Sequence, residues 1–209
     1  MQKETIKNII LDLGVVIINI DTDRTVNAMK GLGFTNFQES YTLFKQTNLF
    51  DQLEKGLIDS YHLRKELRKH IQKEVSNQEF DEAWNAMLLD FPKDRIEFIK
   101  NLSKNYNVYL LSNTNEIHYK QYIKDFKKEY GFDFNSLFLK TYYSYQLGMR
   151  KPDINIFEFA IKDSGLKPQE TLFIDDLEVN IKSAQKTGLQ TIWLDVSKGD
   201  DLLKVLDGF

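Results

Sequence analysis

The sequence predicts an α/β fold with a doubly wound parallel sheet, and three observations carry that expectation. Short apolar runs bounded by polar or turn residues recur at 7–11, 107–111, 137–143, 171–174 and 190–194, the pattern of strands buried on both faces. Between the later runs lie amphipathic helical patterns, and strands alternating with helices argue for a parallel sheet covered on both sides. From about 21 to 90 the alternation stops, with helical signals and no convincing strand. Roughly seventy residues of helix exceed a simple crossover, so this stretch reads as a helical bundle inserted after the first strand. The expected division is a core of 1–18 and 91–209 and an inserted domain of 19–90. Extra helices packed directly on the sheet are the alternative.

The elements follow in order. The first strand contains Ile9-Ile10-Leu11 and runs into Asp12-Leu13-Gly14. In the inserted stretch, Leu63, Leu67 and Ile71 share a helical face that Asp59 or Ser60 can cap. Ser76-Asn77-Gln78-Glu79 is a capping box. It opens a helix with Phe80, Trp84, Met87 and Leu88 on one side. Ile96, Ile99 and Leu102 form the next face, ahead of the second strand. Phe157, Ala160 and Ile161 share a face that ends at Gly165, and Leu177, Ile181 and Ala184 share one that ends at Gly188.

Composition narrows the function classes. The chain has 209 residues, 42% hydrophobic and 28% charged, which is the balance of a globular protein. A net charge of −3 gives no electrostatic footprint for nucleic acid. No apolar run approaches the ~18 residues of a membrane span, and Met1-Gln2-Lys3-Glu4-Thr5 begins no signal-like stretch. A cytoplasmic location is the expectation. The absence of Cys removes thiolate nucleophiles and cysteine metal sites. His62, His70 and His118 are too scattered to suggest a histidine metal site.

Four strand-end signals carry the chemistry. Asp12 closes the first strand, at the edge where open α/β sheets hold ligands. An Asp carboxylate can attack phosphorus and split one difficult displacement into two easier ones. Carboxylate and phosphate repel, so a divalent cation is needed between them. Asp175 and Asp176 close the fourth strand, and oxygen ligands without His or Cys suit Mg²⁺. Ser112 and Asn113 follow the second strand, where a hydroxyl and backbone N–H groups suit phosphate oxygens. Lys151, before Pro152, balances the charge: three carboxylates, one Mg²⁺ and one ammonium sum to zero. Each signal also has a plainer reading. A strand-end Asp is often a cap, Ser-Asn-Thr-Asn a turn and helix cap, and Lys-Pro a solvated helix entry.

A nucleophilic Asp12, then Leu111-Ser112-Asn113-Thr114-Asn115, Gly148-Met149-Arg150-Lys151-Pro152 and Phe173-Ile174-Asp175-Asp176, in that order, resemble the haloacid-dehalogenase-like (HAD) hydrolases. The resemblance covers essentially the whole chain. It implies a Rossmann-like core with an inserted α-helical C1 cap, and a phosphatase that forms an aspartyl-phosphate on Asp12 from a small phosphorylated metabolite. It also implies that Mg²⁺ is held by Asp12, the backbone carbonyl of Gly14 and Asp176, with Asp175 bound directly or through water. Ser112 and Asn113 then bind the phosphoryl group, and Lys151 both binds it and serves catalysis.

Gly14 departs from the common pattern, which has a second Asp to protonate the leaving group and activate water. A tight turn with positive φ is the structural reason expected for this glycine. The bacterial sugar-phosphatase branch that includes alpha-D-glucose-1-phosphatase also has Gly there, so the motifs are most similar to that branch. A catalytically impaired homologue that binds a phosphorylated ligand or protein partner is the alternative; a phosphosugar mutase or a dehalogenase is more remote. Arg150 reads as a charge outside phosphate binding. Asn19, Asp21, Asp23, Arg24, Glu54 and Trp84 are unranked candidates for the substrate pocket.

Overall fold

Five parallel strands form one sheet, β1 (Asn8–Leu11), β2 (Asn107–Ser112), β3 (Lys140–Tyr143), β4 (Thr171–Asp175) and β5 (Gln190–Trp193), in spatial order β3-β2-β1-β4-β5. The computed structural model describes residues 3–34, Phe37 and 48–209. Leu11 pairs in register with Leu110 of β2 and with Ile174 of β4. The first strand therefore lies between the second and the fourth. The chain changes winding direction there, which makes β1 the switch point where a ligand crevice opens.

Side chains alternate between two cores, as strand geometry requires. Ile9, Leu11, Leu110 and Ile174 pack on one face with Ile96, Ile99, Tyr122 and Phe126. Ile10, Leu111 and Phe173 pack on the other with Phe157, Ala160 and Ile181. Helices on both faces keep the backbone of β1 out of water.

Three local expectations need correction. The third strand starts at Lys140, not 137, because Asp133 accepts from Asn135 N at 2.8 Å and winds Phe134–Leu137 into a 3₁₀ turn. The last strand ends at Trp193, one residue early. Leu177 is exposed instead of packed, because the helix begins at Glu178 and the Leu177 amide turns back to Asp175 Oδ1.

Between β1 and Lys93–Leu102 lie helices α1 (Thr22–Gly31), α2 (Leu49–Glu54), α3 (Ser60–Arg68) and α4 (Asn77–Asn85). Their apolar faces meet each other in a separate cluster around Met29, Phe34, Leu63, Leu67, Phe80 and Trp84, joined by Ile117 of the helix after β2. Asp59 caps α3 and Ser76 with Glu79 closes the capping box of α4. Ile71 lies beyond α3 and stays buried, whereas Met87 and Leu88 lie beyond α4 and are half-buried. The entering and leaving segments are hydrogen-bonded to each other, Asn19 N to Asp90 O at 3.0 Å, Leu89 N to Asn19 O at 3.0 Å and Asp21 N to Met87 O at 2.9 Å. Among the described residues, no helix is long and apolar enough to cross a membrane.

At Gly56 the helical region comes close to the core. It has φ +63, and a Cβ there would lie 2.1 Å from the Tyr145 carbonyl oxygen. Gly131 has φ +79 with nothing within 4 Å of such a Cβ. Gly131→Ala is thus expected to cost only the left-handed backbone penalty, about 1–2 kcal/mol. Gly56→Ala adds a backbone clash and is expected to lower Tm by several degrees more, at about 2–4 °C per kcal/mol for a chain of this size. Equal Tm values in thermal unfolding would show that the approach of Gly56 to Tyr145 carries no constraint.

Candidate active site

Asp12 continues the sheet by one residue, its amide donating to Ile174 O at 3.0 Å, and its side chain is buried at the carboxyl edge. Lys151 arrives from another direction, after a short helix (Ser144–Leu147) that ends at Gly148. The Lys151–Pro152 peptide is cis, and Ser183 Oγ donates to Pro152 O at 2.5 Å. Asn113 clamps the Lys151 backbone from both sides: its Oδ1 accepts from Lys151 N at 2.9 Å and its Nδ2 donates to Lys151 O at 2.8 Å. So anchored, the ammonium reaches into the sheet edge at 1% exposure. It donates to Asp12 Oδ1 at 2.5 Å, Asp175 Oδ2 at 2.7 Å and Leu111 O at 2.8 Å. All three ammonium protons are thereby matched.

Asp175 is fully buried, and its carboxylate is held by the protein itself. Oδ1 accepts from Leu177 N at 2.8 Å and Asn180 Nδ2 at 2.9 Å, and Oδ2 accepts from Asn180 Nδ2 at 3.0 Å as well as from Lys151. Asp176 lies nearer to solvent, with its carbonyl held by Trp193 Nε1 at 2.9 Å. Asp12, Asp175 and Asp176 each offer a carboxylate oxygen, all within 4.8 Å of one another. Three hard oxygen donors with one ammonium beside them fit a Mg²⁺-type ion. Asp175, already saturated, fits such an ion less directly than Asp12 and Asp176 do.

The charges respond to this crowding. Burial pushes the Asp12 carboxyl up to about 7; the Lys151 ammonium pulls it back, and Asp175 and Asp176 push it up again. Burial and then repulsion from Asp175 raise Asp176 to about 6. Burial works against the Lys151 charge, yet Asp12 and Asp175 outweigh it and hold the amine above the ordinary lysine range. A second cation at this spot relieves the repulsion among the carboxylates.

The Asn113 side chain is occupied by Lys151, so its backbone is what is left for the phosphate contact expected at this turn. One sequence reading changes here. Gly14 lacks positive φ; the left-handed residue of that turn is Val15, at φ +66. A Cβ at position 14 would lie 2.9 Å from Ile20 Cδ1, the movable end of that side chain. The Gly14 carbonyl accepts from Val16 N at 2.6 Å and retains a second lone pair. Asn115 is a helix cap, accepting from Ile117 N and His118 N at 3.1 Å each.

Beside the carboxylates opens a cavity of about 430 Å³, walled by Gly14, Ser112 and His118 from the core and by Phe50, Glu54 and Trp84 from the inserted helices. Of the six pocket candidates, Asp23, Glu54 and Trp84 line it. Asn19 bonds Asp90 at 3.1 Å, and Asp21 caps α1 and pairs with Arg24 at 3.4 Å. Arg150 pairs with Asp51 at 3.1 Å and Glu54 at 2.8 Å, so its charge ties α2 to the core and does not face phosphate. Asn180 and the clamp by Asn113 escape sequence reasoning. The available signal for Asn180 is a polar residue beside Ile181 and Ala184 on a buried helical face.

Residues 9–194 match the family model of the haloacid dehalogenase-like hydrolases. The chain is 37% identical over 186 residues to D-ribitol-5-phosphate phosphatase of Bacteroides thetaiotaomicron, covering 89% of this chain and 90% of that protein. A HAD family enzyme of the same organism, crystallised with magnesium and inorganic phosphate, superposes with a TM-score of 0.89 at 40% identity, over 96% of this chain and 99% of that one. A HAD-like hydrolase of Porphyromonas gingivalis gives a TM-score of 0.82 at 33% identity, over 90% of this chain and 91% of that one.

The Asp12 shift sets a sign for stability against pH. Its carboxyl titrates at about 7 in the folded chain, against an ordinary value of 3.8. The folded chain therefore holds the extra proton, and this contribution is lost as pH rises from about 4 to about 7. Cation-free protein should lose Tm across that window relative to Asp12→Asn, which cannot ionise. Added Mg²⁺ should restore wild-type Tm increasingly toward the upper end. Parallel pH profiles for the two proteins in thermal melts would contradict a strained Asp12 carboxylate.

Proposed function

This chain belongs to the haloacid dehalogenase-like hydrolases, and from that premise we propose that it is a Mg²⁺-dependent phosphatase acting on a small polyol or sugar phosphate. The observation that carries this reading is the convergence of Asp12, Lys151, Asp175 and Asp176 at one sheet edge, with Ser112 in the wall of the adjoining cavity. At about 430 Å³ the cavity falls within the usual ~300–1,000 Å³ of small-molecule sites. The relative from Bacteroides thetaiotaomicron supports a phosphorylated polyol.

Residues 1–18 and 91–209 act as the catalytic core, and 19–90 act as a cap that closes over it. In the first step Asp12 attacks phosphorus; the bond to the ester oxygen breaks and an aspartyl-phosphate forms. In the second, water attacks the same phosphorus and returns the Asp12 carboxylate with inorganic phosphate. Lys151 fixes the rotation of the Asp12 carboxylate through Oδ1 and offers positive charge to the phosphoryl oxygens. Ser112 and the backbone at Asn113 receive the remaining oxygens. Asp12, the Gly14 carbonyl and Asp176 would hold Mg²⁺, with Asp175 positioning Lys151 or reaching the ion through water. When bound, the cation offsets the repulsion between carboxylate and phosphate.

Phosphate release from a panel of polyol and sugar phosphates, with and without Mg²⁺, tests the assignment. Turnover should require Mg²⁺. Asp12→Asn should lower it by several orders of magnitude, as loss of a nucleophile does, while leaving the circular dichroism spectrum unchanged. A panel without any turnover would instead favour a homologue that only binds phosphorylated ligands, the reading that Gly14 supports.

Gly14 supplies no proton to the leaving oxygen, and a positioned acid is typically worth ~10²–10⁴-fold in rate. Aryl phosphates and sugar 1-phosphates, whose leaving groups are less basic, should thus turn over faster than esters of primary alcohols. The relative's substrate is a primary ester, so both classes belong in the panel. Gly14→Asp should help primary esters most, if the flexible end of Ile20 yields the required space. A flat dependence on leaving-group acidity, with phosphoryl transfer rate-limiting, would place the proton source elsewhere.

A further inference from the structure

Trp84 and His118 share a wall of the cavity, and neither takes part in the phosphate chemistry. Trp84 belongs to α4 of the inserted helices, His118 to the helix Glu116–Tyr130 that follows β2. Their rings stack nearly parallel, with centroids 5.6 Å apart and planes 7° apart. Phe50 and Phe80 hold the other sides of the indole, at 5.5 and 6.4 Å.

Trp84 is 6% exposed, and its indole N–H is buried without an acceptor. Buried donors are nearly always paired, so an unpaired one in a cavity wall points to a partner supplied by a ligand. His118 is its complement. Its Nδ1 lies 2.8 Å from Asn85 Oδ1, which places the ring proton on Nδ1. Burial holds the ring neutral, lowering it to about 4, so Nε2 remains an acceptor. Two other polar residues of the cavity wall are occupied. Thr25 Oγ1 donates to Trp84 O and accepts from Met87 N, both at 3.0 Å, and Asn115 caps its helix.

A hydroxyl both accepts and donates one hydrogen bond with ease, which a donor and an acceptor on stacked rings can satisfy together. We propose that Trp84 Nε1–H and His118 Nε2 bind one hydroxyl of the substrate's carbon chain and so select a polyol or sugar phosphate over a hydroxyl-free ester. This rests on the phosphatase reading above and adds the residues that choose its substrate. It also splits recognition between the two parts of the molecule, because each partner of the hydroxyl comes from a different one.

The test compares ribitol 5-phosphate with phenyl phosphate, which has no hydroxyl on its carbon skeleton. Trp84→Phe keeps the aromatic packing and removes the N–H. It should raise KM for ribitol 5-phosphate about ten-fold, as loss of one neutral hydrogen bond does, with kcat little changed and KM for phenyl phosphate unaltered. His118→Phe should do the same, and the double variant should be no worse than the weaker single one, because both groups serve one hydroxyl. If one variant fails to fold, the other still reports the selectivity. Equal KM changes for both esters, or none for either, overturn the proposal and leave the phosphatase reading standing. Wild-type turnover of phenyl phosphate alone does likewise. Absence of turnover on both esters overturns the two together.

Discussion

One buried ammonium organises the carboxyl edge of the sheet. Lys151 Nζ binds Asp12 after β1, the Leu111 carbonyl in β2 and Asp175 at the end of β4. Those three strands are neighbours in space, so a single charge spans the switch point of the fold. A buried cation is tolerated only when its charge and protons are matched. Here the matching groups include Asp12 and Asp175, so on the proposed function stability and chemistry would draw on one set of contacts. The surrounding bonds serve that arrangement: Asn113 fixes the Lys151 backbone and Asn180 holds both oxygens of Asp175.

The inserted helices wall the cavity and bring the carboxylates of Asp23 and Glu54 to it. They enter and leave the core as a hydrogen-bonded pair of segments around Asn19 and Leu89. Across the cavity, Arg150 joins Asp51 and Glu54, while Lys55 joins Asp51 at 3.2 Å and Asp153 at 3.0 Å. These pairs lie partly in water and are worth little singly. All but Lys55–Asp51 join the inserted helices to the core. Arg150 adjoins Lys151 in sequence, which links the position of α2 to the loop that presents the ammonium.

On the proposed function, chemistry and selectivity would occupy different parts of the chain. The phosphate end would meet strand termini, held between two packed faces of the sheet. The carbon end would meet α4 and the start of the helix after β2, where Trp84 and His118 stack across the boundary. A change in the side chains of the inserted helices would then alter the substrate without disturbing the carboxylates.

Much of this was legible in the residues alone. Apolar runs placed all five strands, because burial on both faces leaves a continuous hydrophobic signature. Asp12, Ser112, Lys151 and the Asp175–Asp176 pair stood out because each follows or closes such a run. The capping box at Ser76 and the Asp59 cap were local patterns that folded as read. Other features needed the tertiary structure. The hold of the Asn113 side chain on Lys151 is hidden until the fold brings these residues, thirty-eight positions apart, together. Asn180 is one polar residue on an apolar face until Asp175 is seen above it. Ile20 crowds position 14, whose own φ is not left-handed, and the pocket candidates were ranked only when α1, α2 and α4 turned Asp23, Glu54 and Trp84 toward the cavity. Sequence patterns report what a residue does with its near neighbours, through periodicity, turns and caps. The partners that decide a buried charge or a pocket wall lie far along the chain, and only packing brings them within bonding distance.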